Sequence, residues 1–149
     1  MGTQTTGGMP FTRADVFISP DNATWTDVSG HGASVAVAGG ERGVGEQPTF
    51  SGDTPIVSGG KRSKTQVTVR YVYTETALEP FEVLRTIHES APGTCYLQYR
   101  VKPAGVWYKT GLGVLEMPGY PGGEASSPDT VMGEFAVSCA SLTKEAAST

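Results

Sequence analysis

The sequence predicts a mainly β protein: a small sandwich or barrel with one flanking α-helix and a long hairpin-like loop. Three observations lead there. Glycine fills 20 of the 149 positions and proline 10, while charged residues make up only 17%, a composition of short strands joined by turns. Several segments alternate β-branched or aromatic residues with polar ones at period two, as half-buried strands do. Only one segment repeats apolar residues at a helical spacing, and one helix covers one side or end of a sheet. The length is that of a single domain, enough to bury about 68–70% of the unfolded surface without staples.

Residues 1–13 are Gly/Thr-rich and read as a flexible arm. Met1 to Pro10 has neither basic residues nor an apolar run, so it does not read as a signal peptide. Ala14, Val16 and Ile18 alternate with Asp15, Phe17 and Ser19 as a first strand, and Pro20-Asp21-Asn22 turns the chain. Trp25 to Gly30 leads into a second apolar segment, Ala33 to Ala38. From 64 to 74, Val67, Val69, Tyr71 and Tyr73 share one face and Gln66, Thr68 and Arg70 the other. The helix falls at about 78–90, with Leu78, Phe81, Leu84 and Ile87 as its packing stripe. Its start is either a capping box of Thr76 with Glu79 or Pro80 at the first helical position; Pro92-Gly93 ends it. Three strands follow: Cys95 to Val101, Val106 to Met117, and about 130–142 with Val131, Phe135, Val137 and Cys139 in one phase, which turns Glu134, Ala136 and Ser138 outward. The Gly/Pro-rich segment 118–129 is a loop, and Lys144 to Thr149 a frayed tail. The order is two or three strands, the helix, then three strands.

Residues 39–63 stand apart. They hold seven glycines and mixed charges, and a loop of this length inside a compact domain is usually functional or disordered. Pro48-Thr49-Phe50 and Pro55-Ile56-Val57 flank a turn at Ser51 to Thr54, which predicts a long hairpin arm. Phe50, Ile56 and Val57 have little use in a solvated loop. With Lys61 and Arg62 they are the predicted inter-subunit contacts, on an arm that orders when copies assemble.

The chemistry of an enzyme is missing. There is no G-x-S-x-G and no P-loop, and GERGVGEQ lacks a strand-then-helix context. His31 lies among turn glycines, and His88 sits near the helix C-terminus, where it interacts well with the dipole. Cys95 and Cys139 have no metal-ligand spacing. Asp15, Asp27, Glu116 and Glu134 are the acidic residues on or beside strands, and nothing in the spacing brings two of them to a hydrolytic distance. No cofactor is implied. The formal charge of −4 has the wrong sign for gripping nucleic acid, and no apolar run approaches a membrane span. A β domain with long low-charge loops and apolar residues on an arm is built to complete itself on neighbours.

Two segments resemble the major tail tube proteins of long-tailed, siphophage-type bacteriophages. Thr24-Trp25-Thr26-Asp27-Val28-Ser29-Gly30 is similar to their early W-x-D-[VI]-S-G stretch. PTFSGDTPIVSGGKRSKTQVTVRYVYTE, residues 48–75, is similar to their long loop, which ends in a Gly-Lys-Arg turn and runs into a T-V-x-V strand before a helix. The resemblance spans roughly residues 14–140. It implies a structural virion protein whose copies form hexameric rings. Those rings would stack into a hollow tube around a tape-measure protein, capped by tail terminator and distal tail proteins, and assemble in the host cytoplasm. DNA passes through without specific binding, and an acidic wall would repel it. If the strands at 64–74 and 130–142 line the tube, Gln66, Thr68, Arg70, Glu134 and Ser138 are its lumen residues, with Arg70 offset by Glu134.

Two other classes stay open. A carbohydrate- or receptor-binding β-sandwich would use Trp25, Trp107 and Tyr108 as stacking platforms. A tube-forming ring protein of an effector-secretion system would share the fold. With no signal peptide the protein is expected to be made and used in a cytosol, where Cys95 and Cys139 should be buried, reduced thiols. The intact mass of material kept from air should not change on reduction, and a gain of two hydrogens would establish a disulfide.

Overall fold

The computed structural model describes residues 2–4, 7–9, 13–30, 32–75, 80–123, 125 and 130–145. Among these the chain forms β1 (Asp15–Ser19), β2 (Thr26–Asp27), β3 (Gly32–Gly39), β4 (Arg42–Gln47), β5 (Ile56–Arg62), β6 (Thr65–Val72), α1 (Pro80–Glu89), β7 (Thr94–Arg100), β8 (Trp107–Pro118), β9 (Met132–Cys139) and β10 (Thr143–Glu145). Strands β4 and β5 pair only with each other. The rest form one antiparallel sheet in the order β2-β1-β7-β8-β9-β6-β3, with β10 paired to β8. The fold is mainly β with one helix, as the composition and periodicity predict.

Strand β8 carries the sheet round a corner. Its first half pairs with β10, Trp107 to Lys109 against Glu145 to Thr143, and its second half pairs with β9 from Val114 onward. Strand β7 lies along its other edge. Gly111 has φ +65°, and the register shifts between Tyr96 and Gln98 and between Leu115 and Met117. Such bulges bend and twist a strand. They also account for the uneven alternation of this segment, in which Leu115 is buried while Leu112 and Val114 are exposed. Val16 and Ile18 of β1, Leu97 of β7, Val67, Val69 and Tyr71 of β6, and Phe135 and Val137 of β9 all enter one core. Residues from both ends of the sheet thus meet, and the sheet closes over itself as a sandwich does.

Local chemistry explains the joints. The Asp21 carboxylate accepts hydrogen bonds from the backbone N–H of Ala23 and Thr24 and from the Ser19 hydroxyl, which shapes the turn after β1 and holds its own pKa below the usual range. Val28 is fully buried, and its N–H donates to the Val16 carbonyl. The Ser29 hydroxyl accepts from the Val16 N–H at 2.8 Å, and the Ser29 N–H donates to Asp27 Oδ1 at 2.7 Å. The Asp-Val-Ser run is thereby fastened onto β1. On the far side of the core, the buried Tyr71 hydroxyl donates to the Gly119 carbonyl at 2.8 Å. Gly119 has φ +81° and a Cβ there would run into the Tyr71 ring, while a Cβ at Gly133 would overlap the Gly119 carbonyl, so both positions need glycine.

The helix begins at Pro80, the preorganised first position; Leu78 and the alternative Thr76–Glu79 cap lie outside the described residues. Phe81, Leu84 and Ile87 are buried in the core, and Gly93 at φ +76° follows the helix end. Phe81 makes edge contacts with Tyr73 and Tyr120 at centroid distances of 5.0 and 5.7 Å.

Several expectations need correction. Six strands precede the helix, not two or three, because the loop 39–63 contains two and Thr26–Asp27 adds a short one. The tail expected to fray from Lys144 starts as β10, held to β8 by pairing and by the Lys109–Glu145 ion pair, while residues 146–149 lie outside the described residues. Val131 is exposed because β9 begins one residue later. Ala136 is buried although it shares the outward face, since a methyl is shorter than its cross-strand partners Thr68 and Met117.

One carboxylate ties three strands together on that outward face. Glu116 of β8 accepts from Lys64 Nζ at 2.9 Å, Gln66 Nε2 at 2.5 Å and the Ser138 hydroxyl at 2.5 Å. The Ser138 and Lys64 bonds hold its pKa below the ordinary 4.5. The folded chain thus favours the ionised form more than the unfolded chain does, so this stabilisation is present above pH 4.5 and lost as pH falls through the lower folded value.

Two measurements follow. Leu84→Ala should lower unfolding free energy by about 2–5 kcal/mol in chemical denaturation, and a loss under about 1 kcal/mol would mean that the stripe is not core. Glu116→Gln should flatten the loss of stability below pH 4.5 relative to wild type; parallel curves would remove Glu116 from the acid response.

Candidate assembly surface

The chain leaves the large sheet at a narrow neck. Pairing between β3 and β6 ends at Gly39 opposite Thr65. Gly39 and Gly40 both have positive φ, the Gly40 N–H donates to the Lys64 carbonyl at 2.9 Å, and the Ser63 N–H donates to the Glu41 carbonyl at 2.8 Å. A side chain at Gly39 would overlap the Lys64 carbonyl. Beyond the neck, β4 and β5 continue as a hairpin whose strands run for six and seven residues, about 20 Å at ~3.3 Å per residue.

Every residue of β4 and β5 is exposed. Of the predicted arm contacts, Ile56 and Val57 lie at the start of β5 at 59% and 63% exposure, and Phe50 at the tip is wholly open. Val44, concealed in the sequence by its place in a short run between glycines, is 71% exposed on the opposing strand. Lys61 and Arg62 stand at the neck end. The sequence set the extended pieces at 48–50 and 55–57; the strands instead run 42–47 and 56–62, and Pro48 to Phe50 belong to the tip. An isolated two-stranded ribbon is marginal in water. This one has no part of its own body beneath it.

The predicted lumen residues share one face. Gln66 pairs with Ser138, Thr68 with Ala136 and Arg70 with Glu134 across β6 and β9. Opposite charges thus face each other at the position where Arg70 needed an offset. Along β3 the matching positions are Ser34, Ala36 and Ala38, so this side of the sheet carries small or polar residues apart from the exposed Leu112, Val114 and Met117 of β8. Strand β3 is an edge of the large sheet and carries no charged residue.

The other candidate residues are occupied in structural work. Trp107 lies 5.5 Å from the Phe17 ring, with the Arg100 guanidinium 4.5 Å from its centroid, and Tyr108 stacks on Tyr99. Trp25 is half-buried. Asp15 pairs with Arg100 at 2.6 Å, Asp27 holds the Ser29 N–H, Glu116 is the three-strand tie and Glu134 lies opposite Arg70, so the four carboxylates serve different joints. Cys95 and Cys139 are buried free thiols, and burial pushes Cys95 up to about 12. His88 is exposed in the last helical turn; His31 lies outside the described residues.

No protein-family model matches this chain, and no curated protein sequence does. Solved structures do. A chain of the sheath/tube terminator of an extracellular contractile injection system (PVC, extended state) superposes with a TM-score of 0.69 at 15% identity, over 96% of this chain and all of that one. A chain of the PVC sheath–tube complex gives 0.65 at 13% identity, covering 97% and 99%. A chain of the tail of an empty gene transfer agent particle, refined with C6 symmetry, gives 0.64 at 12% identity, covering 88% and 96%. The chain therefore has, over nearly its whole length, the fold found in contractile injection systems and gene transfer agent tails.

Proposed function

We propose that this chain is a tail-tube protein: a non-enzymatic building block whose copies form hexameric rings that stack into a hollow conduit. The observation that carries the reading is the arm, a hairpin exposed along both strands and tipped by Phe50, which is open to solvent in a single copy. Phe50, Ile56, Val57, Lys61 and Arg62 are its inter-subunit contacts. Exposed apolar surface of this kind marks a site that another protein covers. The shared fold with chains of sheath–tube and tail assemblies, one of them six-fold, supports the same reading.

The conduit wall is proposed to be the outward face of β6 and β9, with Gln66, Thr68, Arg70, Glu134 and Ser138 lining it. A polar wall, with Arg70 set against Glu134 and an acidic overall balance, lets DNA pass without holding it. In a phage-type tail the interior holds a tape-measure protein during assembly in the host cytoplasm, and terminator and distal tail proteins close the ends of the finished virion tail. The PVC chains favour a second reading, in which the same tube delivers a protein effector. A glycan-binding role is disfavoured, because the faces of Trp107 and Tyr108 are taken by Phe17, Arg100 and Tyr99.

Wild-type protein should form hollow tubes by negative-stain microscopy. Deleting residues 44–58 should leave a folded monomer, with an unchanged circular dichroism signature of the β body, that makes no tubes. Tubes of normal length from the deletion would rule the arm out as the assembly element, and persistent wild-type monomers would remove the tube reading itself.

A further inference from the structure

The arm is charged unevenly. Arg42, Lys61 and Arg62 crowd its neck end with Glu41 as their acidic neighbour, whereas from 43 to 60 the only charged residues are Glu46 and Asp53. Arg42 and Arg62 stand directly opposite each other in the β4–β5 register. Like charges placed so destabilise a ladder. Among the described residues none of these three cations has an ion-pair partner. Arg42 is held nonetheless: its Nη1 donates to the Gly60 carbonyl at 2.7 Å, and its Cδ passes 3.2 Å from where a Cβ of Gly59 would stand. The glycines at 59 and 60 let the guanidinium lie over β5. Together the three cations line a shallow cleft of about 330 Å³ at the neck, with Glu41, Gly43 and Ser63.

We propose that this cleft receives the arm tip of a second copy, with Asp53 set against Arg42 and Arg62 and the Phe50 ring over a guanidinium. The inference rests on the reading of the chain as self-assembling. Charge complementarity carries it: the neck sets three cations against the single carboxylate of Glu41, and a further anion, Asp53, is carried at the far end of the same hairpin. Neck and tip are separated by about 20 Å of paired strand, so they cannot meet within one copy. The uncovered Phe50 face suits an arginine through a cation–π contact. Tip-to-neck contact is heterologous, joining unlike surfaces, and such contacts propagate into rings or filaments. Nucleic-acid phosphate would answer the same cations, but the chain's acidic balance opposes it.

The test uses the full chain. In Asp53→Arg and in Arg62→Asp the concentration needed for assembly, read by sedimentation, should rise about tenfold at low salt, and the double swap should bring it back. Wild-type assembly with both single reversals assembling at the same concentration overturns the contact and leaves the tube reading in place. A second measurement needs no tubes. A chain carrying Asp53→Cys and Arg62→Cys together, gently oxidised, should give a ladder of covalent oligomers on a non-reducing gel, with neither single substitution doing so. Cys95 and Cys139 are buried and do not compete. Dimers from Asp53→Cys alone would show tips meeting tips, and the absence of any ladder would show that tip and neck do not meet; either overturns the proposal. Duplex DNA retained by wild type, lost in Arg62→Asp and unaccompanied by a ladder would assign the cleft to phosphate instead.

Discussion

The register between β6 and β9 is the constraint on which the rest depends. Val67 faces Val137 and Val69 faces Phe135, and all four are fully buried. Side chains alternate with a period of two, so a slip of one residue would drive these into solvent and carry Gln66, Arg70 and Glu134 into the core. Burying a Val- or Phe-sized side chain contributes about 1.5–3 kcal/mol, and burying an unpaired charge costs more. A one-residue slip of these strands therefore does not compete. Fixing it also fixes the opposite face, where Arg70 meets Glu134 and where Ser138 and Gln66 reach the same Glu116 carboxylate.

A sheet of this size cannot close over one core without turning a corner, and β8 supplies the turn. Its two halves serve different neighbours, with Gly111 and the bulge at Leu115/Met117 between and within them. The helix then covers the open end of the core through Phe81, Leu84 and Ile87. Surface ion pairs such as Arg85 with Glu82 and Glu89 add little to this, because exposed pairs contribute at most about 1 kcal/mol. The body therefore has a closed core of its own, while Leu112, Val114 and Met117 of β8 stay exposed on its outer face.

The arm has the opposite character. It is the same β3–β6 hairpin continued past a bend at Gly39–Gly40, yet it has no core beneath it. Its glycines at 43, 45, 52, 59 and 60 weaken it as an independent ribbon, since glycine loses the most freedom on ordering. The body has its own core and the arm has none, so under the proposed self-assembly the arm would gain contacts without a rearrangement of the core.

How much of this is legible in the sequence depends on how local the cause is. The strand face Val67–Val69–Tyr71, the helix stripe and the existence of a hairpin between 39 and 63 follow from periodicity and turn chemistry over a few residues. So does the presence of Phe50, Ile56 and Val57 where a solvated loop has no need of them. The arm's strand boundaries did not follow, because Arg42 to Gln47 has no alternation to read and is held extended only by its partner β5. Strand β10 escaped notice because three polar residues become a strand only when the free edge of β8 is there to pair with. Ala136 lies on the outward face that its phase predicts, but its burial is not legible in the sequence, because burial of a small residue depends on the height of its neighbours. The meeting of Lys64, Gln66, Glu116 and Ser138, and of Arg42 with Arg62, joins residues up to 74 apart along the chain. The sequence by itself determined which faces are apolar and where the chain turns, since these are set by each residue and its near neighbours. Only the tertiary structure decided which faces look at each other and which charges are left unanswered, because pairing across a sheet is a relation between distant segments that no local pattern contains.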